Sequence, residues 1–206
     1  MKKFTVTLKS LTPYMQHRMD DQSLAEWERQ RGNIMERPEV SQEDAHRAEY
    51  HSYRNAQGQY YIPSEHIRNC LINAGTYVKA KVGGRSKSMK IIVAACFMIT
   101  PEQIIIPPYD AIDKRSAVNK NVKARVITVR PKWTSWQVSF TLECYEDTIT
   151  LESIQKIFEN GGQYVGIGSF RPTNSGLFGR FEVVSIVPIR EERARRSLVE
   201  EVAESL

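Results

Sequence analysis

An α+β fold follows from three features of this sequence of 206 residues. Lys3–Lys9 and Ser135–Tyr145 alternate apolar and polar residues, as half-buried strands do. Two other segments space their apolar residues at three and four, giving each helix one buried face: Ile67, Cys70, Leu71, Ala74 and Val78, then Ile154, Ile157 and Phe158. Turn residues at Leu11-Thr12-Pro13, Gly83-Gly84, Pro107-Pro108 and Gly161-Gly162 divide the chain into elements of ordinary length.

The elements read in order as follows. Phe4, Val6 and Leu8 line the buried side of the first strand, and Pro13 ends it. Asp20–Tyr50 is charge-rich, with apolar anchors only at Leu24, Trp27, Ile34 and Met35; it predicts two short helices broken near Gly32 and Pro38. Gln59–Ile62 predicts a short strand, and Pro63-Ser64 opens a helix with Ser64 as N-cap, running out at Gly83-Gly84. Ile91–Ile99 reads as a fully buried strand and Gln103–Ile106 as a shorter one. Asp110–Lys123 lacks periodicity and reads as a basic loop or thumb. Lys123–Arg130 and Ser135–Tyr145 then read as paired strands. Thr150 caps the second helix, Gly161-Gly162 stops it, and Arg180–Pro188 is the last strand.

With the insertions set aside, the order is strand, helix, strand, strand, helix, strand. That is the order of a ferredoxin-like, RNA-recognition-type core, a fold that does not by itself imply function. Residues 1–189 form the expected single domain, with a helical insertion at 20–56, a thumb-like insertion at 107–134 and a charged tail at 190–206.

Composition narrows the class. No apolar run reaches the roughly 18–20 residues of a membrane helix, so no membrane partner is expected. Cys70, Cys96 and Cys144 are odd in number and widely spaced, which fits neither a disulfide framework nor a zinc site; they predict core positions and a reducing cytoplasm. The net charge of +5 is unevenly spread. Residues 79–132 hold twelve Lys and Arg against Glu102, Asp110 and Asp113, a balance of +9 that leaves −4 for the rest. Tyr77, Tyr109, Trp133 and Trp136 interleave with those cations, as in grooves that hold single strands; the two tryptophans read equally as core anchors.

The most distinctive stretch is Gly166–Phe181, with glycines at 166, 168, 176 and 179. Exposed amides near Gly166 and Gly168, with Arg171, Asn174 and Arg180, suit a phosphate, and Phe170 offers a stacking face. The same glycines fit a tight connection that needs only their geometry. Arg85, Lys87, Lys90, Lys114, Arg115, Lys120, Lys123 and Arg125 complete the candidate nucleic-acid surface. The dinucleotide fingerprint fails because Arg171 stands where its third glycine belongs, and Lys87-Ser88 lacks a P-loop's preceding glycine. His17, His46, His51 and His66 lack ligand spacing, so neither a metal nor a cofactor is expected. His17, followed by Asp20 and Asp21, has the chemistry of a general acid or base in RNA cleavage; a solvent-exposed loop histidine, and acids at a helix start, are the plainer readings.

Three segments together resemble the RAMP superfamily, the RNA-binding proteins of CRISPR effector complexes. Met1–Tyr14 is similar to its opening strand and turn, and Tyr61-Ile62-Pro63-Ser64-Glu65-His66-Ile67-Arg68 to its YIPGSSLKG step. Gly166–Phe181 is similar to its glycine-rich loop. In the second segment Glu65-His66 and Asn69 replace small residues and glycine. Val122–Val138 with Gly166–Phe181 also resembles small phage and prophage proteins. The superfamily resemblance implies a core that binds RNA across the sheet and the glycine-rich loop, with Asp110–Pro131 as thumb. Some superfamily members cleave RNA with an aspartate or a histidine; Asp20, Asp21 and His17 have no matching motif.

The first reading is therefore a non-enzymatic binder of single-stranded RNA, or else DNA, acting as a repeated backbone subunit in a homo-oligomer or filament. An endoribonuclease and a phage structural or assembly protein are the alternatives.

Overall fold

The computed structural model describes residues 1–18, 48–82, 85–119, 124–146 and 149–189, without the side chains of 81, 82, 85, 116–119 and 124–127. The α+β class is borne out. β1 (Lys2–Ser10), β6 (Phe97–Thr100), β10 (Gln137–Cys144) and β11 (Phe181–Pro188) form one antiparallel sheet in the order β11-β1-β10-β6. α1 (Ser64–Ala74) lies on the crossover from β1 to β6, and α3 (Leu151–Asn160) on that from β10 to β11. Each crossover skips one strand, so two split β-α-β units interleave.

The helices cover one face of this sheet. Phe4, Val6, Leu8, Val138, Phe140 and Leu142 meet Ile67, Leu71, Ile154, Ile157 and Phe158 in a continuous core. Each such side chain contributes roughly 1.5–3 kcal/mol by burial. Thr150 caps α3 as expected, accepting from the Ser153 amide at 3.2 Å. The opposite face presents Thr5, Lys9, Gln137, Ser139 and Met98, with no aromatic ring within its strands. Just past β10, Tyr145 is 53% exposed and donates to Glu143 Oε2 at 3.1 Å, so the edge of that face does carry a ring.

Several expectations are corrected. Ile91–Ile99 is not one strand: α2 (Lys90–Cys96) precedes β6, and Ile91 is exposed while Val93 is buried. Arg68 holds the end of α2, donating from Nε to the Phe97 carbonyl at 3.0 Å and from Nη2 to that of Ala94. α1 ends at Gly75, and β4 (Lys79–Val82) pairs antiparallel with β5 (Arg85–Ser88). Pro63, not Ser64, stands at its N-cap; the Ser64 amide donates instead to the Glu102 carbonyl. Gly161-Gly162 does not stop α3, which widens into a π-helical turn through Val165. Cys70 and Cys144 are buried, but Cys96 is partly exposed.

The region expected to be loop is largely paired. β8 (Ala111–Asn119) and β9 (Ala124–Trp133) form a long hairpin with register from Ala111↔Lys132 to Asn119↔Ala124. β9 pairs with β8 and with β2 (Tyr14–Met15), not with β10 as the sequence suggested. Trp133 and Trp136 are core residues rather than stacking surfaces. β3 (Tyr61–Pro63) pairs with β7 (Gln103–Ile105) beside the main sheet. The helices expected at 20–50 lie mostly outside the described residues.

Candidate nucleic-acid interface

Past Pro13 the chain leaves β1 and forms β2 at the base of the β8–β9 hairpin. The glycine-rich segment is clasped to this passage. Gly179 donates its amide to the Pro13 carbonyl at 2.8 Å, and Ser169 to that of Met15 at 2.9 Å. Two glycines are demanded by the path. Gly168 has φ +75°, and a Cβ there would lie 2.4 Å from the Met15 carbonyl oxygen. Gly179 has φ +73° and lies so close to Ile167 that a Cβ would meet its carbonyl oxygen at 1.8 Å. The tight-connection reading of these glycines is thus correct for their side-chain positions. The Gly166 amide is already donated to the Gly161 carbonyl at 2.7 Å, so it has no proton to offer a phosphate.

This clasp creates a cleft of about 320 Å³, a size that suits a small ligand or part of a larger one. It is lined by His17, Tyr53, His66, Arg130, Gly168, Ser169, Phe170, Arg171 and Asn174. Five residues singled out in the sequence therefore meet at one place: His17, Gly168, Phe170, Arg171 and Asn174.

Arg130 is the dominant feature. It is only 7% exposed, and among the described residues its Nε and Nη1 have no hydrogen-bond partner. Its register partner Asp113 is engaged elsewhere, accepting from Arg115 Nε at 2.6 Å. Burial lowers the Arg130 pKa, Asp113 opposes the shift and Arg115 adds to it. The guanidinium carbon instead lies 4.8 Å over the Phe170 ring, which Arg115 also faces at 4.8 Å. Phe178 faces Arg115 and Lys132. An unpaired buried guanidinium is costly, and an anion in the cleft relieves that cost.

His17 and His66 are neutral at neutral pH. His17 is exposed, in a loop as its plainer reading has it, yet desolvation by its neighbours, then the charges of His51 and Arg130, push its pKa down to about 4. Its ring lies 4.4 Å from that of His51, whose Nδ1 is 2.9 Å from the Arg18 carbonyl. Burial and then Arg171 lower His66 as well. Tyr14 Oη lies 3.3 Å from His66 Nδ1 and accepts from Gln16 Nε2 at 3.3 Å. The direction of the Tyr14–His66 bond depends on the histidine tautomer. Gln16 is fully buried and satisfied, donating also to the Tyr61 carbonyl and accepting from the Tyr53 amide, both at 2.8 Å. That amide ties β2 to the segment bearing Tyr53 and so fixes the wall opposite Phe170.

Of the sequence candidates, Arg171 stands in the cleft wall and most others fall elsewhere. Arg171 is braced by bonds to Thr173 Oγ1 and the Gly168 carbonyl, both at 3.0 Å. Arg180 donates to the Gln163 carbonyl and does not line the cleft. Lys87 and Lys90 are exposed near the β4–β5 pair, and Lys114 is exposed on β8. Arg85 and Arg125 lie on β5 and β9, with only their backbone described. Asp20, Asp21, Lys120 and Lys123 lie outside the described residues. No local motif in the sequence singles out Arg130, His66, Tyr53 or Ser169 as site residues. Among the described residues, no group of three or more His, Cys, Asp or Glu is placed to hold a metal ion.

No protein-family model matches the chain, and no curated protein matches it. Among solved structures it is similar to a chain of the cryo-EM structure of the Type III-B Cmr-beta bound to cognate target RNA, at TM-score 0.49 and 10% identity. The similarity covers 92% of this chain and 61% of that one, so this chain spans about three fifths of its length. A similarity this slight carries no argument about fold or function.

Proposed function

We propose that this chain is a RAMP-like protein that binds single-stranded RNA, with a backbone phosphate seated at Arg130. The observation that carries this reading is the buried guanidinium of Arg130, two of whose nitrogens have no partner among the described residues, in the lining of a cleft shared with Arg171, Asn174 and Phe170. A phosphodiester supplies the missing acceptors, and charge-assisted bonds to it are stronger than neutral ones. The strand order β11-β1-β10-β6 supports the ferredoxin-like part of the reading. Binding by several copies along one strand, each through this cleft, would make the protein a repeated backbone subunit.

Fluorescence anisotropy with a labelled single-stranded RNA tests the reading. Affinity is expected to fall steeply as salt rises from about 50 to 200 mM, since phosphate contacts release counterions. No binding at the lowest salt would remove the reading. Sedimentation of the protein on RNAs of increasing length tests the repeated arrangement; occupancy is expected to rise with length.

A second reading, an endoribonuclease, is favoured by His17 and His66 lining the same cleft as Arg130. Neutral His17 has the lone pair to accept a proton from a ribose 2′-hydroxyl, while His66 and Arg130 line the cleft that would hold the phosphate. Cleavage of RNA by the wild type and its loss in His17→Ala would establish this reading; an intact substrate with wild type would remove it.

A further inference from the structure

The cleft at Arg130 does not end at Arg171 and Asn174. Both residues also line a second cleft of about 340 Å³, whose walls include Asn73, Thr76, Tyr77 and Thr173. Tyr77 in its wall packs against a second exposed aromatic residue, Tyr164, from a different element. Tyr77 follows the end of α1 and is 57% exposed; Tyr164, on the π-helical turn, is 48% exposed. Their rings lie 5.5 Å apart at 49°. Neither hydroxyl has a hydrogen-bond partner among the described residues, so no polar network explains their position. Cations continue the path: Lys79 follows Tyr77 by two residues, and Lys79, Lys87 and Lys90 are all exposed. Exposed rings beside a cationic groove are the combination that holds a single strand, because every base offers a π face and every linkage a charge.

We propose that Tyr77 and Tyr164 form a base-stacking site for the RNA strand whose phosphate occupies Arg130, reached along Arg171 and Asn174. This inference rests on the RNA-binding reading and adds the site that recognises bases. It also gives the strand a direction of travel across the surface, from the hairpin base toward the β4–β5 pair.

The test compares the wild type, Tyr77→Ala/Tyr164→Ala, Tyr77→Phe/Tyr164→Phe and Arg130→Gln by anisotropy, with a uridine RNA and an abasic strand of equal length. Circular dichroism checks the fold of each. The double alanine variant is expected to bind the RNA about tenfold more weakly or worse, and to bind the abasic strand as the wild type does. The double phenylalanine variant is expected to stay within about twofold of wild type, because its rings remain. A double alanine variant that binds RNA like wild type, while Arg130→Gln is weakened, overturns the stacking site and leaves the phosphate site standing. Equal losses in the alanine and phenylalanine variants also overturn it, by assigning the effect to the hydroxyls. If the wild type binds neither strand, the RNA-binding reading fails and this inference falls with it.

Discussion

The guanidinium carbon of Arg130 lies 4.8 Å over the ring of Phe170, and two of its nitrogens have no acceptor among the described residues. The contact holds the cation in place without neutralising it. Inorganic phosphate or sulfate is therefore expected to raise the melting temperature of the wild type above that in chloride of matched ionic strength. At about a hundredfold excess over Kd, the gain is equivalent to about 2.7 kcal/mol. In Arg130→Met the difference between anions is expected to vanish.

His17 titrates out of its ordinary range, at about 4 rather than 6.5. As pH falls below 6.5, the unfolded chain takes up this proton while the folded chain does not, until pH nears 4. Stability is therefore expected to decline across that window and to have its full value only above it. His17→Gln is expected to flatten that decline. An NMR titration with a His17 midpoint near 6.5 would contradict the crowding by His51 and Arg130.

Gly168→Ala is expected to destabilise the protein by roughly 2 kcal/mol or more, combining a left-handed backbone with a collision at the Met15 carbonyl. Chemical denaturation measures it. Because Ser169 is bonded to Met15, the same variant is expected to weaken RNA binding beyond the loss of stability.

Thr150→Ala provides the contrasting case. Its hydroxyl caps α3, away from the cleft, and its loss is expected to cost about 1 kcal/mol. RNA affinity is expected to be unchanged at a temperature where the variant is folded.

The sequence reveals elements whose signals are local. Thr150 with Ile154, Ile157 and Phe158 defines α3, and the alternation of Val138, Phe140, Leu142 and Cys144 defines β10. α2 is illegible because a short apolar run suits either a strand or a helix. Its end is held by Arg68, far away in sequence. The pairing of β9 with β8 is missed because β8 carries no alternation to mark it. Half of the cleft was visible as glycine-rich composition at 166–181 and as His17 beside the first strand. Arg130 was invisible because both it and Val129 are buried. That breaks the two-residue period of a strand with one covered face. Only the convergence of β2, β9 and the glycine-rich segment makes an ordinary strand arginine the proposed anion site.

The most direct measurement pairs the melting temperature of Arg130→Met without RNA with its affinity for a single-stranded RNA at one fixed salt concentration. Removing an unpaired buried charge relieves a desolvation cost, so the variant is expected to melt at or above the wild-type temperature. It is also expected to bind RNA at least about fivefold more weakly, the scale of one hydrogen bond to a charged group. A variant that melts well below wild type yet keeps its RNA affinity would contradict the account, because it would make Arg130 a structural residue.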